Sequence, residues 1–125
     1  MQKITRAELW ISIVVILGMG VIHLVLAPQE FEETPYVGIL FVAHSLAALI
    51  AAIGIYRGAR IWGWGLGLFI AAGAVIGYVI SRTVGLPGME IEEWFQPLGM
   101  LALVLELSFV VLYLRRRPFG RGVAN

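Results

Sequence analysis

Four apolar stretches, each long enough to cross a lipid bilayer, govern what this chain can fold into. They run from about Leu9 to Ala27, Tyr36 to Tyr56, Ile61 to Ser81 and Pro97 to Leu114. Each holds roughly 18 to 21 residues, and at about 1.5 Å per helical residue that length matches a hydrocarbon core of about 30 Å. A backbone in lipid must satisfy its own hydrogen bonds, so stretches of this kind predict helices. The connections between them are short, which places sequential helices antiparallel. The expected fold is all-α, an up-down-up-down four-helix transmembrane bundle forming a single domain over residues 1–125.

Composition agrees. Hydrophobic residues make up 60% of the 125 residues and charged residues 14%, whereas soluble domains are nearer half apolar and a quarter charged. The chain has no cysteine, which excludes disulfides, thiolate metal sites and a cysteine nucleophile.

The basic residues are sorted by side. Lys3 and Arg6 precede the first span, Arg57 and Arg60 lie between the second and third, and Arg115, Arg116, Arg117 and Arg121 follow the fourth. The other two connections carry Glu30, Glu32, Glu33, Glu90, Glu92 and Glu93, with Arg82 as their one basic neighbour. The positive-inside rule then puts both termini in the cytoplasm of a multi-pass cell-membrane protein. A cleaved secretory signal is disfavoured, because the first apolar run is long for a signal core and Pro28 stands where cleavage would fall. Trp94 and Phe95 read as anchors at the outer interface, and Trp10, Trp62 and Trp64 as anchors at the inner one.

The two acidic connections echo each other. Glu30-Phe31-Glu32-Glu33 and Glu90-Ile91-Glu92-Glu93 share one pattern, and each is followed by a proline and a glycine, Pro35 and Gly38 or Pro97 and Gly99. Two parallel helical-hairpin repeats would produce this, and with two positions of slippage they set His44 opposite Glu106. Convergence is the competing explanation, since outer loops favour acids and helix starts favour proline.

Ionisable groups inside a span are costly and mark candidate sites. Here they are His23, His44 and Glu106, with Arg82 at a boundary. Counted from the expected outer ends, His44 and Glu106 lie about 12 to 14 Å deep, near enough in level to meet, and His23 lies nearer the surface. Met19 shares a face with His23, Val75 and Tyr78 with Arg82, and Ala102 and Tyr113 with Glu106. Three readings are open. Met19, His23, His44 and Glu106 offer ligands for a transition metal such as copper, or the imidazoles for haem, with Tyr78 and Arg82 as further cofactor contacts. The same groups suit a quinone or proton-handling site. A hydrogen-bonded pair that only fixes helix register is the structural alternative. The outer glutamates read as a solvated rim.

Fifteen glycines are many for this length. Gly63, Gly67 and Ala71, and again Gly73, Gly77 and Ser81, recur at every fourth residue, a spacing that lets helices approach closely. A second such stripe, beyond what one bundle needs, predicts a homo-oligomer or membership of a larger membrane complex. The arginines after the fourth span suit anionic lipid headgroups. No phosphate-binding loop, nucleophile elbow or zinc-hydrolase motif occurs, and the basic tail points to topology and not to nucleic acid. The expectation is a non-enzymatic subunit or binding protein.

The segment His23 to Glu33 (HLVLAPQEFEE) and the segment Ser81 to Gly88 (SRTVGLPG) resemble signatures of a group of small four-helix membrane proteins of bacteria and archaea. The resemblance runs over nearly the whole chain. It implies the same topology and a shared outer feature built from His23, the Glu30 cluster and Arg82, and it brings no activity with it. Size and helix count are also similar to those of DoxX-like proteins.

Overall fold

Thr5 opens the first helix with a reciprocal cap. Its hydroxyl accepts from the Glu8 backbone N–H at 3.1 Å, and its own N–H donates to the Glu8 carboxylate at 3.2 Å, satisfying donors that a helix start leaves orphaned. From there α1 runs over Arg6–Glu33 and α2 over Pro35–Tyr56. A π-helical stretch, Arg60–Gly65, leads directly into α3, Leu66–Thr83, and α4 spans Pro97–Arg116. The structure, a computed structural model, describes residues 4–116. Among them the chain is all-helical, with no strand, and has four helices long and apolar enough to cross a membrane. Lys3, Arg117 and Arg121 lie outside the described residues.

The first helix overruns its expected end. Pro28 sits inside α1, which continues to Glu33, so the Glu30 cluster belongs to a helix and not to a loop. The break comes at extended Thr34, whose N–H donates to the Glu30 carbonyl at 2.7 Å. Proline is tolerated here as in other membrane helices, where neighbouring groups take up the freed carbonyl. Pro35, at the first position of α2, lacks only an N–H that a helix start does not use.

The antiparallel order gives the bundle a basic end, bearing Arg6, Arg57, Arg60 and Arg115, and an acidic end, bearing the six glutamates. Near the basic end the packing is dense. Ile16, Met19, Ile55 and Phe109 are fully buried, and Phe109 stacks on Trp64 with ring centroids 5.8 Å apart. Trp64 is 3% exposed, so the expectation that it anchors an interface is overturned: it faces inward from the π-helical turn, whereas Trp10 and Trp62 stay exposed. A Cβ on Gly54 would stand 2.5 Å from the Gly63 Cα. Only a glycine pair permits that approach, and it pins α2 to the start of α3.

The second stripe does something else. Cβ atoms placed on Gly73 and Gly77 would meet nothing within 4 Å. They line a cavity and pack against no helix among the described residues. Pinned together near the basic end, α2 and α3 leave between them, toward the acidic end, a cavity of about 810 Å³.

Candidate functional site: a His–His–Glu cluster below a membrane cavity

One close helix crossing sets the cluster. A Cβ on Gly20 would come within 2.8 Å of the Ala48 Cβ, and the Ser45 hydroxyl donates to the Gly20 carbonyl at 2.8 Å. With α1 and α2 held this near, the next inward-facing side chains toward the acidic end, His23 and His44, stack face to face. Their ring centroids are 3.7 Å apart and their planes differ by 15°. Phe41, one turn before His44, also packs against His23, tilted, at 4.8 Å between centroids.

The third member comes from α4. Glu106 is 2% exposed, and its Oε2 stands 3.8 Å from the His23 Nε2. One donor atom from each of His23, His44 and Glu106 lies within 4.8 Å of the others. Depth explains the meeting. His23 is ten residues before the end of α1, and His44 and Glu106 are each nine residues after the prolines that start α2 and α4. At about 1.5 Å per residue all three sit roughly 14 Å below the acidic end. The shallower level expected for His23 came from ending α1 at Ala27.

The polar accounting around the cluster is incomplete. The His23 Nδ1 faces the Met19 carbonyl at 2.8 Å, an acceptor that requires the proton on Nδ1, and Nε2 is turned toward Glu106. Both His44 ring nitrogens are buried without a hydrogen-bond partner among the described residues. Among the described residues Glu106 shows the 3.8 Å contact with His23, beyond hydrogen-bond length. Buried polar groups are ordinarily satisfied, and orphaned ones cost about 1–3 kcal/mol each. The two His44 nitrogens carry that cost, beside a His23–Glu106 contact too long to be a hydrogen bond.

Met19 takes part through its backbone. Its side chain is fully buried in the apolar core with Ile13, Ile16 and Phe109. Arg82 and Tyr78 line the same cavity, but their polar atoms are committed to the connection between α3 and α4. The Arg82 guanidinium donates to the Glu93 carbonyl at 3.0 Å, to the Gln96 Oε1 at 2.9 Å and to the Ser81 hydroxyl at 2.7 Å, and lies 3.5 Å from the Glu92 carboxylate. It also stacks on the Tyr78 ring at 3.8 Å, while the Tyr78 hydroxyl donates to the Trp94 carbonyl. Arg82 therefore clasps the loop.

Glu30, placed by the resemblance in an outer feature with His23 and Arg82 and otherwise read as part of a solvated rim, is the site residue whose burial sequence reasoning missed. It is 8% exposed, lines the cavity, and its Oε2 has no hydrogen-bond partner among the described residues. It stands seven residues after His23, two turns up the same face of α1. That spacing is visible in the sequence once the helix is carried through Pro28.

Comparison with protein-family models, curated proteins and solved structures gives no match for this chain. The chemistry must be read from the cluster itself. Two imidazoles stacked face to face offer their nitrogens side by side, whereas axial ligation of haem sets them on opposite faces of the macrocycle, so the pair does not fit a bis-imidazole haem. Side-by-side nitrogens with a carboxylate suit one small ion. A transition metal held at about 2.0–2.1 Å needs donor atoms roughly 3.3 Å apart. The His44 nitrogens make no hydrogen bond among the described residues, so none opposes a turn of that ring toward an ion.

Proposed function

We propose that this chain is a membrane-spanning binding protein for a divalent first-row transition metal ion, held by His23 Nε2, a ring nitrogen of His44 and a carboxylate oxygen of Glu106. The observation that carries the reading is the convergence of these three donors at one depth of the bundle, with both His44 nitrogens buried and unpartnered among the described residues. Imidazole and carboxylate together suit zinc, iron(II) or copper(II). The Met19 carbonyl supports the reading, since a metal-bound histidine ordinarily donates its other ring N–H to a carbonyl or carboxylate, and His23 does so. With three protein donors, the ion keeps open positions toward the cavity.

In the bilayer the basic end faces the cytoplasm and the acidic end faces outward, by the sorting of arginines and glutamates. The cavity and its cluster are then reached from the outer leaflet.

The test is metal analysis of detergent-purified protein after loading with zinc or cobalt(II) and removal of excess. The expected result is one ion per chain, lost in His44→Ala and in Glu106→Gln while both variants retain helicity and thermal stability. Equal metal content in wild type and both variants contradicts it. So does a metal-free wild type in which Glu106→Gln simply unfolds at lower temperature, which identifies the His23–Glu106 contact as a register-fixing pair.

A further inference from the structure

The cavity above the cluster is far larger than an ion requires. Its walls separate into two chemistries. Leu40 on α2 and Phe69 on α3 line it and are 57% and 75% exposed on the flank of the bundle, so in a bilayer its mouth lies among acyl chains. At its depth stand His44 and Glu106, and nearer the acidic end Glu30 presents a carboxylate oxygen that is buried and unpartnered. The α3 wall is flat: Gly73 and Gly77 contribute no side chain there, and a Cβ on either would project into open space. Helix packing does not account for these two glycines, and glycine within a helix costs roughly 1 kcal/mol relative to alanine.

We infer that this cavity binds a lipid-soluble molecule of the quinone class, which enters from the bilayer between α2 and α3 and lays its ring against Gly73 and Gly77 with its oxygens toward His44 and Glu30. The polar groups decide the class. The deepest lie roughly 14 Å below the acidic end, at a depth where a phospholipid headgroup does not go, because carrying its charges into hydrocarbon is prohibitive. An uncharged carbonyl or hydroxyl head crosses that depth readily and offers what remains unmet beside the ion: an acceptor for the second His44 ring nitrogen and, nearer the mouth, a partner for the unpartnered Glu30 oxygen. The inference stands on the cavity and goes beyond the metal reading, since the ring occupies space that the ion does not fill.

The test is calorimetric titration of a decyl-substituted benzoquinone into detergent-purified wild type, Gly77→Leu and Gly73→Ile, with metal content and helicity read on the same samples. Saturable one-to-one binding to wild type is expected, weakened at least about tenfold, or by roughly 1.4 kcal/mol, in the cavity-filling variants. Metal content should not change. No saturable binding to wild type overturns the inference whatever the variants do, and so does unchanged affinity in a variant that folds. Displacement of the quinone by equimolar phosphatidylcholine assigns the cavity to acyl chains and also overturns it. Metal content reads the ion site separately, so the loss of one property with the other intact shows which of the two readings has failed.

Discussion

His23 and His44 stack with ring centroids 3.7 Å apart because Gly20, one turn below His23, lets α1 approach within reach of the Ser45 hydroxyl and the Ala48 methyl group. The site therefore depends on a contact that touches neither imidazole.

Gly20→Val tests that dependence. The added Cβ falls 2.8 Å from the Ala48 Cβ, and overpacking of this kind costs about 1–3 kcal/mol. Unfolding in mild detergent should show that loss, and metal affinity should fall with it. Unchanged affinity in a destabilised protein would mean that helix separation does not set the cluster. The paired substitution Ala48→Gly, which restores the space, should recover both properties in part.

Arg82→Gln should release the connection between α3 and α4 without unfolding the bundle. The variant removes hydrogen bonds to the Glu93 carbonyl and the Gln96 side chain, each worth about 1–3 kcal/mol when a charged donor is involved. Hydrogen exchange reads this directly: the Glu92 amide, bonded to the Ser81 carbonyl at 2.9 Å, should lose protection while amides in the middle of α1 keep theirs. Equal protection in both proteins would show that the loop holds itself.

Glu30→Met should stabilise the protein. It replaces a buried oxygen that has no hydrogen-bond partner with an apolar side chain of similar length, and relieving such a group is worth about 1–3 kcal/mol. The measurement is the thermal midpoint of the detergent-purified variant; a fall would show that the carboxylate is structurally paired.

The absence of cysteine in the chain makes the orientation simple to read. Single cysteines at Glu90 and Arg57 should be labelled from opposite sides of sealed cells by a membrane-impermeant maleimide, Glu90→Cys from outside and Arg57→Cys only after permeabilisation. The reverse pattern would invert the proposed orientation and place the cavity mouth in the inner leaflet.

The fold was legible because membrane helices announce themselves through length and apolarity, and short connections leave little freedom in their order. The ends were less so. Pro28 and the glutamates after it look like punctuation, yet in lipid a helix continues through proline when stopping would expose backbone groups. That one misreading placed His23 too near the surface and hid Glu30 in a supposed loop. The pairing of His44 with Glu106 in depth was visible, since each lies nine residues after a proline. Their convergence with His23 was not, because helix rotation is set by the Gly20 and Ser45 crossing, a tertiary fact. Spacing alone also failed to separate the two glycine stripes: Gly63 packs against Gly54, whereas Gly73 and Gly77 face empty space, and the sequence period is the same for both.

The most direct test of the central claim is pulsed electron paramagnetic resonance of the copper(II)-loaded protein, which counts the imidazole nitrogens bound to the ion. Two coordinated imidazoles are predicted in wild type, and loss of the two-imidazole signal in His44→Ala, which no longer retains the ion. A spectrum without imidazole coupling, or one unchanged by the substitution, would contradict the proposal that His23, His44 and Glu106 form a metal centre.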